Sequence, residues 1–324
     1  MIGRRPLLAA SAAIGMGADA ARAQAPRPPG RIGYLHPRSA DADAATVQIL
    51  RPTWQRLGYV EGDSFVLRGA EGDLARLPTL ARELVAAGAG VIIAVGPSAV
   101  RAARQAVPDT SIVAIDLETD PVRTGLAQSF ARPGGLVTGL FVDQPSLATK
   151  WISLLREAVP GTDRLAIVWD PTTTRDQLEL AVEAAAAMRI GTSVFEARST
   201  AEIDGAFARM GSPQGLGVVQ LGSPGFAVVA AHFAAAAIRR RLPTISFLRQ
   251  YAMLGLLLTY GPSQESYFPR AVVLADRILR GERPGTLPIE RPDRFELVLN
   301  AKTAAAIGVR FPASLQAQSD EVIE

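Results

Sequence analysis

The sequence predicts an α/β protein of two doubly wound parallel-sheet lobes joined by a multi-crossing hinge. Three observations carry this. Short, near-continuous apolar runs such as "GVIIAVG" and "RLAIVWDP" alternate with segments of helical spacing, the pattern of parallel strands covered on both faces. The alternation runs through twice, so two similar sheets are expected. The length, 324 residues of which 48% are hydrophobic, exceeds what one small core accommodates.

In the first series, "RIGYLHP" reads as a strand, and "ATVQILRPTWQRLGYVEG" as a helix stopping at Gly58. "SFVLRGA" is a second strand. "DLARLPTLARELVAAG" sets Leu74, Leu77, Leu80, Ala81 and Leu84 on one face and ends at Gly88, with Pro78 marking a late start or a break. "GVIIAVG", the helix "SAVRAARQAV" and the strand "SIVAIDL" follow. A helix is expected to start at Asp120 in "DPVRTGLAQSF", before "GLVTGLFVD".

The second series opens with the helix "SLATKWISLLREAVP", Trp151, Leu154 and Leu155 facing inward. "RLAIVWDP", the helix "TRDQLELAVEAAAAMRI", the strand "TSVFEAR" and a helix capped by Ser199 or Thr200 come next. "LGVVQLGSP", "FAVVAAHFAAAAIRRR", "LPTISF" and "GLLLTYG" complete it. The remainder gives one helix, "SQESYFPRAVVLADRILRG", an extended "TLPIERPDRFELVLN" and a short helix "AKTAAAIG". The expected division is 26–141 plus 262–287 for the first lobe and 142–261 plus 288–324 for the second, with several crossings acting as a hinge.

Residues 1–25 read as a signal peptide. Arg4-Arg5 precede a mildly apolar stretch, Pro6 to Ala18, too short to span a bilayer. "ARAQA" offers small-x-small cleavage near Ala23 or Ala25. Paired arginines before a weakly apolar stretch favour twin-arginine export. A periplasmic mature protein is expected, and no later segment is long and apolar enough to cross a membrane.

Composition excludes several functions. The formal charge is +3, and Arg4, Arg5 and Arg22 against Asp19 place +2 of it in the leader. No basic run remains, so nucleic-acid binding has no electrostatic footprint. Without cysteine there is no thiol catalysis, zinc-thiolate site or disulfide. With His36 and His232 as the only histidines, neither a metal site nor a cofactor is expected. No G-x-S-x-G or H-E-x-x-H occurs.

In open parallel sheets, ligands bind beyond the carboxyl ends of strands. Those ends carry His36 and Ser39; Gly96, Pro97 and Ser98; Asp116 and Glu118; Trp169 and Asp170; Gly222 and Ser223; and Tyr260. Gly96-Pro97-Ser98 lacks the glycines and lysine of a nucleotide loop. It reads either as a helix N-terminus facing an anion or as an ordinary turn. Asp116 or Glu118 suits an ammonium group, while Asp120-Pro121 reads as a helix cap. Trp169 and Tyr260 are either core aromatics or cleft walls; His36 is a ligand contact or a solvated loop residue. His232, in an Ala-rich helix, reads as a surface or packing residue.

The runs "LGYVEG", "DPVRTGLAQSFARPGGLVTGL", "LAIVWDP" and "YGPSQESYFPRAVVLADRILRGERPGTLPIERPDRFELVLNAKTAAAIGVRFPASLQAQSDEVIE" carry a resemblance. The chain resembles the ABC transporter substrate-binding protein family, related to tryptophan/tyrosine-type binding components. The resemblance implies a periplasmic-binding-protein type I fold, three crossings, and a solute trapped by closure. It implies a monomer that takes a small-molecule ligand, an amino acid or other carboxylate or aromatic compound, and docks on an ABC permease with its ATPase. One departure stands out. Relatives often carry an acidic, glycine-rich run where this chain has "YAMLGLLLTYG", so Ala252, Met253 and Leu254 are expected to line or abut the pocket. A periplasmic sensor that presents its solute to a receptor uses the same lobes, and an exported α/β enzyme is the third reading.

Overall fold

The computed structural model describes residues 28–116, 120–223 and 225–324. The first sheet contains β1 (Arg31–His36), β2 (Phe65–Gly69), β3 (Ala89–Val95), β4 (Ser111–Asp116) and β5 (Val137–Phe141). All its ladders are parallel, in the order β2-β1-β3-β4-β5. The helices α1 (Ala40–Arg56), α2 (Leu77–Ala86) and α3 (Gly96–Ala106) connect its strands. Successive side chains point to opposite faces of a strand, and the core divides accordingly. Tyr34, Val91, Ile93, Val113 and Ile115 pack with Leu50 and Trp54 of α1. Leu35, Ile92, Ala94, Ile112 and Ala114 pack with α2 and α3.

The second sheet follows α4 (Ala148–Ala158). Its central run is β6 (Arg164–Trp169), α5 (Arg175–Ala187), β7 (Gly191–Glu196), α6 (Thr200–Arg209), β8 (Leu216–Gln220) and α7 (Phe226–Arg239). β9 (Thr244–Ser246), α8 (Arg249–Met253) and β10 (Leu258–Pro262) come next. The chain then returns to the first sheet with α9 (Gln264–Tyr267) and α10 (Pro269–Leu279), whose Tyr267, Ala271, Val272 and Leu274 complete that core. It crosses back for β11 (Phe295–Asn300), α11 (Ala301–Ile307), α12 (Ala313–Gln318) and β12 (Glu321–Ile323). The order is β12-β11-β10-β9-β8-β6-β7, parallel except for the antiparallel β10–β11 ladder.

The strands connecting the sheets are tied to one another. Glu290, on the last crossing, bonds through its backbone to Phe141 and Gly139 of β5 at 2.9 and 2.8 Å. Its carboxylate takes two hydrogen bonds from Arg270 at 2.8 and 2.7 Å, and its carbonyl one from the Tyr267 hydroxyl at 3.0 Å.

Two expected elements differ. No helix begins at Asp120. The segment folds as turns, in which the Asp120 carboxylate accepts from the Val122 and Arg123 amides at 2.8 and 3.2 Å. It caps a turn that Gly125, with φ of 74°, prevents from propagating. The helix read across 264–279 is broken at Phe268, because Pro269 has no amide to continue α9 and instead starts α10. Among the described residues no helix is long and apolar enough to cross a membrane.

Candidate ligand-binding cleft

A cleft of about 480 Å³ opens between the two sheets. Each sheet lines it with segments that follow the carboxyl ends of three parallel strands. From the first come Pro37, Arg38 and Ser39 after β1, Glu71, Gly72 and Leu74 after β2, and Pro97, Ser98 and Arg101 after β3. From the second come Asp170 and Thr172 to Thr174 after β6, Arg198 after β7, and Gly225 and Val228 after β8. The volume suits a small solute.

Helix N-termini converge here. Ser39 caps α1, its hydroxyl accepting from the Ala42 amide at 3.3 Å. α3 begins directly at Gly96, whose φ of 80° makes the strand-to-helix turn, and has no side-chain cap. α5 and α7 likewise start without a side-chain cap, at Thr174 and Gly225. The positive ends of four helix dipoles therefore meet at one cleft, three of them without a side-chain cap, which favours negative charge.

The second sheet's side is interlocked. Asp170 accepts from the Thr172 amide and hydroxyl at 2.9 and 2.8 Å, and from the buried Ser223 hydroxyl. The Gln177 side chain clamps the backbone of Gly222, donating to its carbonyl and accepting from its amide, both at 3.1 Å. Arg198 stands exposed at the rim, 3.7 Å from Glu202. The Glu202 carboxyl is held below its usual range, chiefly by the hydrogen bond it accepts from the Arg198 amide.

The first sheet's side rests on a buried polar cluster. Arg38 donates to Asp43, which is fully buried on α1, and to the Thr46 hydroxyl at 3.2 Å. Burial presses the guanidinium downward, but the Asp43 carboxylate outweighs it and holds Arg38 above its ordinary value. His36 lies beneath, with Nδ1 3.9 Å from Asp43, and burial pushes its pKa down against the pull of that carboxylate. Tyr34 is driven well up, first by burial and then by Asp43.

Of the residues expected from sequence, Ser39, Pro97, Ser98 and Asp170 line the cleft. Gly96, Gly222 and Ser223 support these loops from beneath. His36 is 3% exposed, so it is not a solvated loop residue. Trp169 is buried, with Nε1 donating to the Thr173 hydroxyl at 3.0 Å. Tyr260 is away from the cleft: it lies mid-strand on β10, stacked on Phe295 at 5.8 Å, and its carbonyl accepts from Trp151. Asp116 ends β4 opposite Phe141, and Glu118 lies outside the described residues. Ala252, Met253 and Leu254 do not line the cleft; Ala252 is buried and the other two are exposed. His232 is a surface residue bonded to Asp204 at 2.9 Å.

Of the other cleft-lining residues, the sequence reading placed Arg38 at the first strand's end without choosing it as a candidate, and did not single out Glu71, Leu74, Arg101, Arg198 or Val228. One signal was available for Arg38. Asp43 shares the helical stripe of Val47, Leu50 and Trp54, and an acid on a buried stripe requires a cation.

Solved structures share this fold. A conserved domain protein from Vibrio cholerae matches with a TM-score of 0.82 at 23% identity, over 90% of this chain and 99% of that one. A domain from Streptococcus pneumoniae solved in complex with L-Trp matches at 0.80 and 20%, over 90% and 99%. A ligand-free, open substrate-binding protein with adhesive properties from Clostridium difficile matches at 0.66 and 18%, over 91% and 99%. The fold is thus that of the type I periplasmic binding proteins. A tyrosine-binding protein of Clostridioides difficile (strain R20291) is 22% identical over 258 residues, 78% of this chain and 73% of the relative. Residues 32–323 match the family described as ABC transporter substrate binding protein, and the chain belongs to that family.

Proposed function

We propose that the protein is the extracytoplasmic solute-binding component of an ABC importer. It captures a small carboxylate-bearing solute of amino-acid type between its lobes and delivers it to a membrane permease. The observation that carries this reading is the convergence of four helix N-termini on one cleft between two sheets. Relatives named for tyrosine binding and solved with L-Trp support the amino-acid class.

In this reading the mechanism is binding without bond chemistry. The lobes, 26–141 with 262–287 and 142–261 with 288–324, move about the three crossings. The solute draws them together because it touches both, and only such differential contact shifts the equilibrium. Ser98 and the α3 N-terminus take the carboxylate, and Asp116, Glu118 or Asp170 meets an ammonium group. Export follows the leader, with cleavage near Ala23 or Ala25 and a monomeric periplasmic product.

Thermal-shift screening of the mature protein against amino acids and organic acids tests this. A binder raises the melting temperature by an amount that grows with the logarithm of one plus the ratio of free ligand to Kd. A screen in which no carboxylate stabilises the protein, while a neutral sugar does, overturns the reading.

A further inference from the structure

The first sheet's side of the cleft holds an ion pair that the fold itself does not require. Asp43 is fully buried and paired with Arg38, only 13% of whose side chain is exposed. Burying such a pair costs desolvation that the attraction seldom offsets, and two apolar side chains would join α1 to β1 as well. The guanidinium is nevertheless fixed at two points, by Asp43 and by Thr46 at 3.2 Å, while its buried Nε has no hydrogen-bond partner. Arg38 lines the cleft beside Ser39 and Ser98. The other cleft cations, Arg101 and Arg198, are exposed to water, where their pull is weak.

We propose that Arg38 supplies the charged contact to the carboxylate that Ser98 and the α3 N-terminus also meet, and that Asp43 is a positioning residue that orients it without touching the solute. This rests on the solute reading above. A planar guanidinium held rigid loses little freedom on meeting a planar carboxylate, and the contact is charge-assisted. Asp43 also leaves the guanidinium with a compensated charge while the cleft is empty.

The test is calorimetry on the mature chain with amino acids and their decarboxylated amines: L-tryptophan with tryptamine, L-tyrosine with tyramine, and L-leucine with isoamylamine. The variants are Arg38→Lys, Asp43→Asn and the double Arg38→Met/Asp43→Leu, each checked for folding by circular dichroism. The double variant removes both charges together, so it is expected to fold where Arg38→Met alone leaves Asp43 buried and unpaired. Wild type is expected to bind an amino acid at least about tenfold more tightly than its amine. In the double variant the amino-acid affinity falls roughly 10- to 100-fold, to the level of the amine, whose own affinity is unchanged. Asp43→Asn gives a smaller loss of the same kind, and Arg38→Lys does not restore wild-type affinity. A double variant that keeps the wild-type preference for the carboxylate overturns the assignment and leaves the solute reading standing. A wild type that binds none of the three amino acids overturns the amino-acid reading, and the assignment with it.

Discussion

One ion pair joins the first sheet's side to the second's and, in the proposed hinge motion, would set a measurable cost on opening. Arg123, in the turn after β4, pairs with Asp176 in the first turn of α5, with side chains 61% and 28% exposed. If the lobes hinge as proposed, the pair exists only in the closed arrangement. An exposed ion pair contributes about 0.2–1 kcal/mol, and the partial cover over Asp176 places this one toward the upper end. About 1 kcal/mol corresponds to roughly a fivefold shift in the open–closed ratio. Arg123→Ala is therefore expected to weaken binding up to about fivefold, mostly through faster release. It is also expected to enlarge the radius of gyration of the free protein in X-ray scattering. The exchange Arg123→Asp/Asp176→Arg recovers part of the loss, reduced because the cation it moves onto α5 would face the positive end of that helix. Raising salt from about 0.1 to about 1 M shortens the screening length to about 3 Å and erases the difference between Arg123→Ala and wild type. A loss that persists at high salt, or an exchange with no coupling, refutes the latch.

Four further outcomes follow from particular contacts. Tyr260→Leu leaves solute affinity within about threefold by calorimetry, because its ring stacks on Phe295 outside the cleft, and a loss above about tenfold would return Tyr260 to the site. Asp276→Ala strands the buried Tyr59 hydroxyl that donates to it at 3.0 Å, costing about 2–3 kcal/mol, read as a fall in melting temperature of about 3–5 °C. Gly261→Ala puts a Cβ 1.9 Å from the Phe247 carbonyl oxygen, so β9 and β10 must separate; a loss above about 3 kcal/mol in denaturant midpoint, or no soluble protein, is expected. Burial lowers the His36 pKa, so the unfolded chain binds the proton more readily and stability drops as pH falls below about 6.5. The melting temperature of wild type relative to His36→Gln therefore declines from neutral to acidic pH, and a constant difference contradicts the assignment.

What could be read from sequence was what short-range pattern encodes. Apolar runs revealed the strands, helical spacing the covering helices, and the carboxyl ends of strands pointed to Ser39, Pro97, Ser98 and Asp170, which line the cleft. What could not be read depends on partners distant in the chain. The β10–β11 ladder is antiparallel because the last crossing delivers β11 from the far side, which no local pattern specifies. Tyr260 looked like a strand end, but β10 runs on to Pro262 and turns the ring toward Phe295. Leu74 and Val228, both largely exposed, come from different sheets and share the cleft only after folding. The turn at Asp120 failed for a local reason, since its capping pattern also suits a helix that Gly125 then stops.

The two walls of the cleft differ in a way that bears on the order of events. On the second sheet's side, Asp170, Ser223, Gly222 and Gln177 satisfy one another. A solute contacting Asp170 must add to a network that is already closed, and gains little from it alone. On the first sheet's side, the cleft is lined by Arg38, whose side chain is 13% exposed, and by Pro97 and Ser98 of α3, a helix with no side-chain cap. A carboxylate on the proposed solute would there meet a cation and the positive end of a helix dipole, which Asp170 does not offer it. The first lobe should therefore bind first. In the closure proposed above, the second lobe then covers a solute already held, with Thr174 among the residues that line its wall. On the proposed reading, the differential affinity that drives closure then comes from the second wall, and selection of a carboxylate from the first. Substitutions at Arg38 should accordingly change which solutes bind, and substitutions at Thr174 or Arg123 how long a bound solute stays.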